Sequence, residues 1–248
     1  MALLTWAVLL LAGLTYTHAI GAPTLQEQSR SIAQIQFKLV SAWRQQCVGS
    51  IINNYYVVTT ANCLQAPSNN RRLAVGNAIT GTIHEVAIIY IHDRFSPSSR
   101  TANIGLVRAG TSWSINTPDI GTIPLVPQNY YVPLYHDLSV SGWGVTAQGG
   151  IIANQYLYTV VLQKKPITSC LDHHQGLVNA ENICLGLVGR NGRDFDPSDT
   201  GAPVAYVLDG RSYLYGVLSF GSSARNNEIP IVAESIGAYS NWIRDTAV

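Results

Sequence analysis

Three short stretches put small polar side chains where chemistry could be done: Thr59-Thr60-Ala61-Asn62-Cys63, Thr101-Ala102-Asn103-Ile104-Gly105-Leu106-Val107 and Pro197-Ser198-Asp199-Thr200-Gly201-Ala202-Pro203. An amide side chain has no titratable nitrogen, so neither Asn62 nor Asn103 can take and return a proton near neutral pH. Thr200 carries a hydroxyl, but a secondary alcohol with no base beside it is a poor nucleophile. Histidine is the residue that could supply such a base. His84 and His92 flank the apolar run "EVAIIYI" and read as packing or surface residues, because a base must come within hydrogen-bond reach of Thr200. His173 and His174 are adjacent, so their side chains diverge on a strand or a helix and a shared metal ion is not expected. Cys47, Cys63, Cys170 and Cys184 permit three pairings, of which the local one, Cys47 with Cys63 and Cys170 with Cys184, is simplest. Zinc is the competing reading, yet no CxxC or HxxxH spacing occurs, and no cofactor is expected.

The elements that must position these residues read as strands. "AQIQFKLVSA" alternates Ile35, Phe37 and Leu39 with polar neighbours, the period of a half-buried strand. Apolar runs follow at "IINNYYVVTT", "HEVAIIYI", "YLYTVVLQ" and "PVAYVL", the last meeting "RSYLYGVLSFG" across Asp209-Gly210, a two-residue hairpin signal. Short strands with Gly and Pro turns and almost no helical periodicity predict an all-β sandwich or barrel. The exception is "ESIGAYSNWIRD", where Ile236, Tyr239 and Ile243 share one face of a C-terminal helix that Trp242 widens. The Pro-, Gly- and Asn-rich segment after Ala109 is the best linker candidate.

Composition narrows the function classes. With 248 residues, 47% hydrophobic and 12% charged, the chain can bury a sizeable core. Its formal net charge is +1 and its basic residues are scattered, which disfavours nucleic acid as a partner. The uncharged apolar run Leu3 to Leu14, too short to span a bilayer, is followed by "TYTHA" and reads as a secretory signal peptide over residues 1–19, with Thr17 and Ala19 at the cleavage positions. The expectation is a secreted protein starting at Ile20, off the membrane, with disulfides and no N-glycosylation sequon.

Taken in order, the three stretches resemble the His, Asp and Ser motifs of the chymotrypsin- and trypsin-like serine protease family, TAAHC, DIAL and GDSGGP. "CVGSII", "SGWG" at 141–144, "SFG" at 219–221 and "AYSNWI" resemble further family landmarks, and the resemblance runs from Ile20 to Val248. It implies two Greek-key antiparallel six-stranded β-barrels with a C-terminal α-helix. The implied bounds are about 20–112 for the first barrel, about 113–135 for the linker and about 136–248 for the second barrel and helix. It also implies that Cys170 and Cys184 form a family disulfide.

Carried over residue by residue, the resemblance places Asn62, Asn103 and Thr200 at the three triad positions, all changed. In serine proteases that work through such a triad, its loss costs on the order of a million-fold in rate. Ser198 falls at the oxyanion-hole position, where glycine is usual, and losing one donor there costs about 100 to 1,000-fold. Asp194, Phe195, Phe220 and Ile231 fall at specificity-pocket positions, with Phe195 and Ile231 expected to fill the cavity. The disulfide that would pin this loop is absent, so greater mobility is expected around 190–198 and 222–228. Asp199 matches the aspartate that pairs with a new N-terminal Ile, here Ile20, which would arise on signal cleavage without a zymogen step.

The implied function is a non-catalytic serine protease homologue, a pseudoprotease that binds extracellular protein as a cofactor or modulator of proteolysis. Two alternatives remain at this level: a weak or altered serine-type endopeptidase using Thr200, and a structural or storage protein of a secretion.

Overall fold

The computed structural model describes residues 22–23, 29–76, 81–143, 157–187, 199–221 and 229–248. A two-residue strand, β1 (Ala22–Pro23), comes first. Six strands then build one closed barrel: β2 (Ile32–Leu39), β3 (Ala42–Ile51), β4 (Tyr56–Thr59), β5 (Arg71–Val75), β6 (Thr82–Ile91) and β7 (Gly105–Ala109). Their order round the barrel is β2-β3-β4-β7-β6-β5, and β2 against β5 closes it. A second set follows: β8 (Asp137–Gly142), β9 (Tyr158–Lys165), β10 (Asn182–Leu187), β11 (Pro203–Leu208), β12 (Arg211–Phe220) and β13 (Ile231–Ser235). These run β9-β10-β13-β12-β11-β8, and β8 closes on β9 from Asp137 opposite Gln163 to Gly142 opposite Tyr158. β1 joins the sheet of the second barrel, pairing with β9 at Thr159 and Tyr158, although it precedes the first barrel in the chain. The expected signal peptide, residues 1–19, and Ile20 lie outside the described residues.

Local chemistry accounts for these elements. In β2 the alternation holds at its start, where Ile35 is fully buried, and fades toward the hairpin, where Leu39 is exposed. A register shift between Ile35 and Gln36 marks the change. The apolar run "IINNYYVVTT" is not one strand. Ile51 ends β3, Asn53 accepts the Tyr55 and Tyr56 amides through Oδ1, and β4 begins at Tyr56. Two consecutive asparagines divide the run because Asn Oδ1 supplies a turn's acceptor locally. Asp209 and Gly210 form the expected hairpin turn, with φ of 50° and 75°.

Among the described residues, two α-helices complete the fold. The short α1 (Ile167–Leu171) carries Cys170 and was not expected from periodicity, being too brief to show one. The longer α2 (Ile236–Thr246) buries Ile236, Tyr239 and Ile243. Its end is tied to the first barrel: Asn53 Nδ2 donates to Ala247 O at 3.2 Å and Tyr56 OH donates to Val248 O at 3.1 Å. One apolar cluster joins Val48, Tyr56, Val58 and Leu106 to Leu138, Leu214, Val217 and Ile243, so the two barrels share a core. Burial of this kind stabilises by about 25 cal/mol per Å². A separate cluster of Ile35, Val57, Leu73, Val107 and Trp113 fills the first barrel.

Candidate functional site

Asn62 is delivered by β4 and the 3-10 turn Ala61–Leu64 that follows it. Val57 and Val58 favour the strand, and Thr59, Thr60 and Ala61 are small enough to be fully buried between barrels. The Cys47–Cys63 disulfide fastens the turn to β3. Arg71 fastens it from below: Nε donates to Cys63 O at 2.6 Å, and Nη1 donates to Pro67 O at 3.1 Å and to Ala66 O. Its guanidinium lies 4.7 Å from the centre of the Phe37 ring, and burial lowers its pKa to about 10, still charged at neutral pH.

Asn103 approaches from the other side. Arg100 and Ala102 both adopt the left-handed region, φ 54° and 47°, which non-glycine residues rarely do. Such backbone is held only where its surroundings over-determine it. Here the fully buried Asn103 side chain does so. Its Oδ1 accepts the Asn62 amide at 2.8 Å, and its Nδ2 donates to Ser219 Oγ at 2.8 Å. A backbone N–H can only donate, so the oxygen must face Asn62 and the amide nitrogen Ser219.

The polar chain continues to a residue that sequence reasoning missed. Ser219 Oγ donates to Glu234 Oε1 at 3.2 Å, and Asn182 Nδ2 donates to the same oxygen at 3.1 Å. Glu234 is fully buried on β13, and its Oε2 has no hydrogen-bond partner among the described residues. Burial pushes its pKa up to about 8, against the opposing pull of the Ser219 and Asn182 hydrogen bonds. The only sequence signal was a lone acid inside "IVAES", a strand otherwise buried up to that residue.

Thr200 stands where the second barrel docks on the first. Its carbonyl accepts the Val48 amide at 2.8 Å. Gly201 follows with φ +88°, and a Cβ there would collide with Val48 O and Thr59 Oγ1, so glycine is required twice over. Asp199 is half-buried rather than fully buried, and its carboxylate lies against Gly142, where a side chain would strike it. Phe220 is buried at the end of β12, with the Arg100 guanidinium 4.7 Å over its ring and His174 edge-on at 5.4 Å. Ile231 is buried on β13, and Cys170–Cys184 packs beside Phe220 and Val232. Asp194, Phe195 and Ser198, the loop positions 190–198 and 222–228, and the expected Ile20 amine lie outside the described residues.

The histidines among the described residues have partners elsewhere. His84 bonds Thr82 Oγ1 and Thr111 Oγ1, both at 2.9 Å. His92 takes the Arg94 amide and packs on Tyr239 and Trp242. His136 lies near the Tyr206 ring. His173 reaches Ser169 O and His174 reaches Pro230 O, so the adjacent pair diverges as expected.

Two closed antiparallel six-stranded barrels sharing a core, a C-terminal helix and a polar site at their junction define the two-barrel protease class of fold. The profile of the trypsin family matches residues 20–243, and the chain belongs to that family. It is 30% identical over 211 residues to "Trypsin Tyr p 3.0101" of Tyrophagus putrescentiae, covering 81% of this chain and 72% of that protein. It is 29% identical over 232 residues to "Chymotrypsin-C" of Rattus norvegicus, 85% of this chain and 81% of that one. It is 26% identical over 208 residues to "Trypsin" of Phaedon cochleariae, 80% of this chain and 78% of the relative.

Proposed function

We propose that this trypsin-family chain is a secreted, non-catalytic homologue that acts by binding extracellular protein, as a cofactor or modulator of proteolysis. The observation that carries the reading is Asn103. It sits beside Asn62 with its oxygen on the Asn62 backbone and its nitrogen on Ser219, so both groups are committed to structure and neither is ionisable. No described histidine is hydrogen-bonded to Thr200, so none of them serves its hydroxyl as a base. What remains of the family scaffold is its shape. The Cys47–Cys63 staple, the Arg71 fastening and the Gly201 corner still hold the Asn62 turn and the Thr200 backbone in place, which suits recognition rather than turnover.

A second reading is favoured by the relatives, which carry the names of proteases: weak hydrolysis through Thr200. A fluorophosphonate probe separates the two. The purified secreted protein is expected to stay unlabelled and to leave peptide amide substrates uncut. Labelling at Thr200 that disappears in Thr200→Ala would overturn the non-catalytic reading.

A further inference from the structure

A second feature lies away from the barrel junction. A cavity of about 880 Å³ opens between the 128–134 segment, β9, β10 and the starts of both helices, within the size range of small-molecule sites. Tyr130, Leu134, Ile167, Ile183 and Ala238 give it apolar walls. Lys164 and Tyr215 line it as well, and Lys164 is only 8% exposed.

The surroundings of Lys164 are unusual for a buried cation. Nζ donates to Val132 O at 2.6 Å and to Tyr215 OH at 3.0 Å. An ammonium has three donors, so one remains. Nζ also lies 3.6 Å from the centre of the Tyr131 ring and 5.6 Å from that of Tyr215, and Tyr131 is 64% exposed. No carboxylate pairs with Lys164 among the described residues. The other charged groups on the cavity wall are engaged. Glu181 is paired with Arg94 at 2.8 Å and accepts Tyr239 OH at 2.7 Å, and Lys165 Nζ donates to Gln163 Oε1 at 3.1 Å. Burying a charge without a partner is expensive, and desolvation accordingly lowers the Lys164 pKa to about 8.

We infer that this cavity binds an amphipathic monoanion, a carboxylate on an apolar chain or ring, with its head on Lys164 and Tyr215 and its body against Tyr130, Leu134 and Ile183. One uncompensated cation suits one negative charge, and the apolar walls suit a hydrocarbon body. Tyr131, exposed on its outer side, can yield its place over the ammonium to the carboxylate at little cost. The site is separate from Asn62, Asn103 and Thr200 and does not depend on whether they are catalytic.

The test is calorimetric titration of the purified protein with octanoate, octan-1-ol and octyltrimethylammonium. Octanoate is expected to bind at least about tenfold tighter than the other two, the size of one charge-assisted hydrogen bond. In folded Lys164→Gln the octanoate preference should fall to that of octanol. Leu134→Trp fills the cavity from its exposed rim without touching the core, and should weaken octanoate at least about tenfold even if Lys164→Gln fails to fold. Equal affinity for octanoate and octanol, no octanoate binding, a preference that survives in folded Lys164→Gln, or unchanged binding in Leu134→Trp would each overturn the inference.

Discussion

Glu234 at the barrel junction and Lys164 beside the cavity are opposite charges treated alike by the fold. Each is buried, each has hydrogen-bond partners but no counter-ion among the described residues, and desolvation moves both toward neutrality, Glu234 up to about 8 and Lys164 down to about 8. They differ in what lies next to them. Glu234 meets packed protein, and a proton is the simplest way to neutralise it. Lys164 meets an open cavity, where an anion can do the same. The comparison separates a polar group kept for architecture from one whose environment is incomplete.

The closed character of the junction is broken most severely at Gly201. Gly201→Ala adds a Cβ against Val48 O and Thr59 Oγ1 on a left-handed backbone, and should destabilise by about 2–4 kcal/mol in denaturant titration. Leu134→Ala, on the cavity rim, should change stability by no more than about 1 kcal/mol.

Next in size is a reversal of the junction's hydrogen-bond direction. Ser219 has one hydroxyl proton and gives it to Glu234. Asn103→Asp would need that proton as well and would place a second carboxyl in the network. It should cost about 1–3 kcal/mol, measured by thermal unfolding. Adding Glu234→Gln should recover part of that loss, because it leaves a single ionisable carboxyl in the network. A double variant whose loss equals the sum of the losses in Asn103→Asp and Glu234→Gln would show that the two positions are not coupled.

The pH dependence sharpens the comparison further. The folded pKa of Glu234 is raised, so its stabilising contribution is fully present below about 4.5 and is lost as pH rises to about 8. The limiting slope is about 1.4 kcal/mol per pH unit. Glu234→Gln should flatten that falling limb. The buried His84 and His92 are lowered by desolvation and act in the opposite sense below 6.5, so the comparison of variant with parent isolates Glu234.

The smaller of the two pH effects is expected at Lys164. Its folded pKa is depressed, so the unfolded chain binds more protons between about 8 and 10.5, and stability should rise with pH across that window. Lys164→Gln should remove the rise, with a smaller total change than at Glu234 because its window from about 8 to 10.5 is narrower than that from 4.5 to about 8.

Much of the scaffold was legible in the chain. Asp209-Gly210 specifies its turn because those residues tolerate positive φ, and Ile236, Tyr239 and Ile243 specify a helix face by their spacing. The local disulfide pairing was readable as well, since short separations made it simplest and the structure forms both bonds. The split of "IINNYYVVTT" was not read, because a side-chain turn at Asn53 interrupts an apolar pattern without altering composition. Nor was the left-handed Ala102, whose cost is met by contacts of Asn103 to residues 41 and 116 positions away.

By itself, the sequence determined the strand periods, the helix, the cysteine staples and the identity of Asn62, Asn103 and Thr200, because these follow from residue types and local spacing. Alternation along β9 requires that neighbouring Lys164 and Lys165 face opposite ways, but not which is buried or what it meets. Only the tertiary structure decided that Glu234 ends the chain of hydrogen bonds from Asn62, and that Lys164 has no acid paired with it among the described residues. Those outcomes depend on which distant strands supply donors and which supply none, and the free energy of a buried charge is set by that company rather than by its own position in the chain.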